Sequence, residues 1–194
     1  MDKQKLIAEL QATVQSESRF ICDDSSPHVF GDGNLDAALM LVGEAPGAKE
    51  VAEGQPFVGI AGKLLDREMS QIGIDRAETY ITNVVKCRLL KPNTNANRPP
   101  SIEERQTWRP VLLREIEIIF PKCILCLGST AANELIHKSF KMREQRGVLF
   151  SGQFGITTIA TYHPAYVQRW QDQSILSDFQ YDLTAASRVA MNST

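Results

Sequence analysis

The chain has 194 residues, 43% of them apolar and 23% charged, with a formal net charge of −2. Residues 1–194 are expected to form one domain with a full core. No stretch is long and apolar enough for a membrane-spanning helix, so no membrane partner is expected, and so mild an acidity carries no global nucleic-acid signature, leaving room for a local basic groove.

Met1-Asp2-Lys3-Gln4-Lys5 leads into an amphipathic pattern of Leu6, Leu10 and Val14, not a signal peptide. A cytoplasmic location is therefore expected. Residues 3–16 predict a helix and 17–36 a loop containing Asp23, Asp24, Ser25 and Ser26, with Val29-Phe30 as a short edge strand. Residues 37–43 are an apolar run that predicts the first core strand. The run breaks into Gly43-Glu44-Ala45-Pro46-Gly47, a polar loop, and Gly54-Gln55-Pro56-Phe57-Val58-Gly59. Ala61, Leu64, Leu65, Met69 and Ile72 then take the spacing of one buried helical face. So many glycines between a strand and a helix suit a backbone that turns sharply and lies close to a ligand.

Residues 79–85 predict the second core strand, ending in Lys86-Cys87-Arg88, and 89–100 a Pro- and Asn-rich loop. Ser101 starts a helix with Glu103 and Glu104 in its first turn, where the dipole favours acids. Residues 122–127 predict a third strand, Gly128-Ser129 a turn into a short helix, and 140–156 an irregular or hairpin-like segment. Residues 157–162 predict a fourth strand, followed by His163-Pro164-Ala165-Tyr166, and about 178–191 a final helix. Strands alternating with helices predict a three-layer α/β/α sandwich around a mostly parallel, roughly four-stranded sheet.

The four cysteines are Cys22, Cys87, Cys123 and Cys126. All are expected as reduced thiols, with Cys87 free in a polar loop. Cys123 and Cys126 have metal-ligand spacing, but on a strand positions three apart face opposite ways, so no metal site is expected there.

In a parallel sheet the segments 43–59, 83–88 and 163–169 share one edge, where ligands bind. That gathers Glu44, Phe57, Asn83 and His163 into one candidate cleft. Taken singly, each has a plainer reading: Glu44 as a turn cap, Phe57 as a core aromatic, Asn83 as a satisfied buried amide, His163 as a structural residue.

In this order, GEAPG, GQPFVGIAG, YITNVVKCR, NRPP with a following EE, and HPAYVQR resemble the uracil-DNA glycosylase superfamily, most of all its bacterial and archaeal family 4 branch. The resemblance spans about residues 29–169 and implies a DNA-repair enzyme that flips uracil out of DNA and hydrolyses its N-glycosidic bond. Phe57 would stack on the flipped base, and the Asn83 amide would tell uracil from cytosine. His163 would stabilise the leaving uracil anion through its O2. Glu44 would orient the water or the cationic sugar, with Glu50 a second candidate. Gly43 and Ala45 would border the base, Ala45 standing where other branches carry an aspartate. Backbone amides around Gly47 and Gly59 would grip DNA, together with Arg88, Arg98, Arg146 and Arg169. Tyr166, Val167 and Gln168 are candidates for a wedge into the vacated stack. Uracil-containing DNA is the expected partner, and the chain is expected to act as a monomer.

Members of the branch are similar in carrying a [4Fe–4S] cluster on four cysteines. Here Cys87 matches one such position, Trp108 replaces another, and Cys22 stands without a CxxC. Four thiolates are the usual ligand set, so no cofactor is expected. The missing ligands keep a second reading open, a diverged member that binds uracil or damaged DNA without cleavage.

Overall fold

The computed structural model describes residues 2–20, 22 and 26–192; Asp23, Asp24 and Ser25 of the expected loop lie outside them. The elements follow in the order α1 (Lys3–Ser16), β1 (Asp32–Gly33), β2 (Leu39–Gly43), α2 (Ala48–Glu53), α3 (Ile60–Gln71), β3 (Thr79–Asn83), α4 (Ile102–Ile119), β4 (Cys123–Leu127), α5 (Ser129–Leu135), α6 (Met142–Gln145), β5 (Phe150–Ser151), β6 (Thr157–Thr161), α7 (Pro164–Trp170) and α8 (Gln173–Asn192). Asp2 caps α1, accepting from the Lys5 N–H, and Ser101 caps α4, accepting from the Glu104 N–H.

The sheet is mixed and six-stranded, in the order β1-β3-β2-β4-β6-β5. Its inner four strands are parallel, and the two-residue edge strands β1 and β5 run antiparallel to their neighbours. The sequence-based expectation of about four strands therefore falls short by the two edges, and the edge strand lies at Asp32–Gly33 rather than at Val29-Phe30. Two residues are too few for the alternation that reveals a strand. Helix α2 replaces part of the expected polar loop, and α7 follows His163 directly.

Strand alternation divides the core. Met40, Val42 and Tyr80 pack with Trp108, Leu112 and Ile116 of α4 on one face. Leu39, Leu41 and Ile81 pack with Leu65 and Met69 of α3 and Phe179 and Leu183 of α8 on the other. Cys126 faces the first cluster and Cys123 the second, as the strand period requires. Burial pushes the Cys123 thiol up to about 12 and the Cys126 thiol up as well, so both are inert.

One expectation about the cysteines is overturned. Cys22 and Cys87 are buried and joined in a disulfide across 65 residues. The cause is tertiary. The segment after α1 folds back over the end of β3, where the Val29 N–H donates to the Lys86 carbonyl at 2.8 Å. Residues 84–87 are buried there, not solvated. The register Gly43 with Asn83 and Leu127 with Thr161 brings the carboxyl ends of the parallel strands to one edge.

Candidate active site

A cleft of two adjoining cavities opens at this edge. One, of about 180 Å³, is lined by Phe57, Asn83, His163, Ala45, Gly47, Glu50 and Gly59 among others. Its neighbour, of about 470 Å³, is lined by Glu44, Arg98, Thr130, Tyr166 and Arg169, and shares Ala45, Asn97, Ala165 and His163 with the first. The four residues expected to meet here do meet.

Phe57 stands at the end of a turn whose backbone is forced into the left-handed region, with φ of 56°. Such a conformation costs about 1–3 kcal/mol and persists only where the surroundings impose it. Here they do. Arg76 donates to the Pro56 carbonyl at 2.7 Å and the Phe57 carbonyl at 3.3 Å, and pairs with Asp66 at 2.6 Å. Gly62 of α3 lets the turn sit against the helix, since a Cβ there would lie 1.8 Å from the Phe57 carbonyl oxygen. Gly43 is required by the same crowding, because its Cβ would meet the Phe57 ring at 2.4 Å and Asn83 Oδ1 at 2.5 Å. Sequence reasoning missed Arg76, which lies in a short polar segment with no motif around it.

Glu50 does not face the cleft as a free carboxylate. Its Oε1 accepts from the N–H groups of Val58 at 3.0 Å and Gly59 at 2.7 Å, and its Oε2 accepts from Gly47 N–H at 3.1 Å. The Gly47 and Gly59 amides are therefore committed to Glu50, contrary to the expectation that they grip DNA. One carboxylate ties α2 to the start of α3, and the Phe57 turn lies between.

Asn83 ends β3 and is 2% exposed. Its Oδ1 is buried without a hydrogen-bond partner among the described residues. A buried acceptor left open costs about 1–3 kcal/mol, so it marks a place where a ligand donor belongs. Behind it the backbone is held by a buried pair. Lys86 Nζ donates to the Asn83 carbonyl at 2.6 Å, to Thr82 Oγ1 at 2.6 Å and to Glu115 Oε2 at 2.5 Å. Burial lowers the Lys86 pKa, and the Glu115 carboxylate opposes that shift. The sequence reading gives neither residue a role, although Lys86 lies within YITNVVKCR, because the pairing joins a strand end to a helix 29 residues away.

His163 caps α7, its Nδ1 accepting from the Ala165 N–H at 3.1 Å. That bond fixes the neutral tautomer with the proton on Nε2. Burial pulls its pKa down to about 4, so the ring is neutral near pH 7 and offers one N–H. Its ring lies 5.9 Å from that of Phe57. Glu44 accepts a short hydrogen bond from the Thr130 hydroxyl, which orients the carboxylate at the mouth of the larger cavity; Thr130 was not foreseen.

The expected DNA contacts separate into two groups. Arg88 braces the 95–97 loop, donating to Asn97 Oδ1 at 3.0 Å and to Asn95 at 3.0 and 3.1 Å. Arg98 is paired with Glu104 at 2.6 and 2.7 Å while still lining the cleft. Arg146 turns inward to Asp182 and Asp178, and Val167 is buried, so neither side chain is presented for the contact with DNA expected of it. Arg169 is exposed and makes no hydrogen bond or ion pair among the described residues. Tyr166 lies beside it in the cleft wall.

A family model described as the Uracil DNA glycosylase superfamily matches residues 30–185. A type-4 uracil-DNA glycosylase of Pyrobaculum aerophilum is 37% identical over 175 residues, 84% of this chain and 86% of the relative. The type-4 uracil-DNA glycosylase of Thermotoga maritima is 43% identical over 142 residues, covering 73% of this chain and 71% of the relative. That of Archaeoglobus fulgidus is 43% identical over 148 residues, with 72% and 71% covered.

Proposed function

The chain belongs to the uracil-DNA glycosylase superfamily and acts as a uracil-DNA glycosylase; we propose that it does so with Asn83, Phe57, His163 and Glu44 as its working residues. The open acceptor of Asn83 carries this reading. Uracil presents an N3–H donor and an O4 acceptor on one edge. The Asn83 amide complements both, and cytosine, with an acceptor at N3 and a donor at position 4, mismatches both. Phe57 stacks on the flipped ring, a contact worth about 1–3 kcal/mol per base. As the C1′–N1 bond breaks, its electron pair goes to the base, and the neutral His163 donates its Nε2 proton as a hydrogen bond to the charge developing on O2. Glu44, held by Thr130, orients the water that adds to C1′ of the cationic sugar and takes the proton that this water sheds, leaving a hydroxyl on C1′. Ala45 offers no base, so Glu44 is the carboxylate for this step. Glu50 is a positioning residue, acting through the loop it ties. Arg169 and Tyr166 meet the flanking DNA.

Type-4 relatives raise the question of an iron–sulfur cluster. The donor set of this chain does not fit one. Cys22 and Cys87 are tied to each other, and the Trp108 indole lies with its ring centroid 4.7 Å from that of Phe20 and 5.3 Å from that of His28. Cys123 and Cys126 are locked in β4. Reduced, the corner offers Cys22, Cys87 and His28, whose ligand atoms lie within 4.8 Å of one another. That is two thiolates and an imidazole where four thiolates are usual. No step of the proposed chemistry passes through a cluster.

Single-turnover release of uracil from an oligonucleotide carrying one uracil tests the reading. The wild-type chain should cleave, and Asn83→Ala and His163→Ala should each slow release about 10²–10³-fold, the scale seen when one oxyanion donor is removed. Release at the wild-type rate by the double variant would overturn these roles. Saturable DNA binding by the wild-type chain with no release would favour a binder instead.

A further inference from the structure

Tyr162, Tyr166 and Trp170 are four residues apart, and the turn from β6 into α7 places them in one row. The Tyr162 and Tyr166 rings stack at 5.3 Å with an interplanar angle of 24°. The Tyr166 and Trp170 rings follow at 6.0 Å and 49°. The inner end of the row is fixed. The Arg146 guanidinium lies 5.7 Å over the Tyr162 ring, and Asp182 and Asp178 hold it at 2.9 and 3.1 Å. The outer end is open. Trp170 is 61% exposed and is the last residue of α7.

A single exposed aromatic needs no explanation. Phe120, Phe154 and Tyr181 are also exposed, but none lines the cleft. Trp170 differs by continuity. The ring next to it, Tyr166, lines the cleft beside His163 and Glu44, and Arg169, which falls between the two in sequence and also lines the cleft, makes no hydrogen bond or ion pair among the described residues. Tyr166 is itself stacked on Tyr162, so the open π-face of the row is that of Trp170 at its outer end; an open π-face beside an unpaired guanidinium is how nucleotides are held without sequence preference. In a duplex the faces of the bases are covered by their neighbours, so only unpaired nucleotides can use such a row.

We propose that Trp170, backed by Tyr166, is a stacking platform for the unpaired nucleotides next to the flipped uracil, and that single-stranded DNA is the form this chain grips best. The proposal rests on the uracil-excision reading of the cleft and names the form of its substrate.

The chain has two tryptophans, and Trp108 is buried at 4% exposure, so emission quenched by DNA reports Trp170. The probe is a uracil-free oligothymidylate, single-stranded or annealed to its complement. The expected result is saturable quenching by the single strand, weaker quenching by the duplex, and about tenfold weaker single-strand binding by Trp170→Leu, read by fluorescence anisotropy of labelled DNA. Tyr166→Leu should weaken single-strand binding in the same sense. Unchanged single-strand affinity in both variants, or an equal loss on duplex, would overturn the platform. A wild-type chain that quenches on single strands yet releases no uracil from any substrate would overturn the excision reading and leave the platform standing.

Discussion

The two walls of the cleft are built differently. The wall made by the 43–62 loop and the end of β3 is locked: the Glu50 carboxylate takes three backbone N–H groups, Arg76 takes two carbonyls, and Lys86 holds the Asn83 carbonyl from beneath. The wall made by α7 is open: Arg169 has no partner among the described residues, and Trp170 is exposed. On the proposed reading, the locked wall holds the groups that must meet one base in one pose, where misplacement by about 1 Å can cost 10²-fold in rate. The open wall is the one proposed to face DNA, a polymer whose sequence and shape vary, and adaptable contacts suit it. Among the described residues, Asn83 Oδ1 is the buried side-chain polar atom that this wall leaves without a hydrogen bond, and it is the atom proposed to read the base.

The largest effect that would test this contrast is on Lys86. Lys86→Met leaves the Glu115 carboxyl group 1% exposed without its cation, and breaking such a pair costs about 3–5 kcal/mol. Urea denaturation should show that loss, and Lys86→Met combined with Glu115→Leu should recover most of it, since apolar replacement of a whole buried pair is often neutral. A loss below about 1 kcal/mol in the single variant would mean that this wall is not locked from behind. Glu50→Gln comes next. One amide oxygen cannot serve the donors that two carboxylate oxygens serve, and each charge-assisted bond lost is worth about 1.5–3 kcal/mol. Because Glu50 acts through the Phe57 turn, single-turnover uracil release should fall while binding of uracil-free DNA stays near the wild-type value. Equal falls in both would place Glu50 on the DNA.

Much of the cleft was legible in the sequence, and its braces were not. Gly43, Phe57, Asn83 and His163 sit in short motifs at strand ends, and a parallel sheet must bring those ends together. Arg76, Glu115 and Thr130 carry no motif, and Lys86, though inside YITNVVKCR, gives no local sign of what it holds; the pairings with Phe57, Glu115 and Glu44 come only from packing between separate elements. The disulfide was hidden for the same reason: 65 residues separate Cys22 from Cys87, and the fold-back of Val29 onto Lys86 that joins them has no local signal. The arginines looked alike as letters. Whether each is occupied depends on an acid or carbonyl that only the tertiary structure supplies, as Glu104 does for Arg98.

The smallest effect separates the two kinds of arginine. A side chain that neutralises one phosphate adds about one unit to the slope of log affinity against log salt. Arg169, unpartnered on the open wall, should supply such a contact. Arg169→Ala is expected to lower that slope by about one on single-stranded DNA, with single-turnover release at saturating enzyme little changed, because no bond-making group moves. Arg88 is the paired control. Its donors already serve Asn95 and Asn97, so Arg88→Ala should leave the salt slope intact and loosen the 95–97 loop, seen as faster local proteolysis. If Arg88→Ala lowers the slope as much as Arg169→Ala does, its bonds to the loop yield to DNA, and the 95–97 loop belongs with α7 on the adaptable side of the cleft.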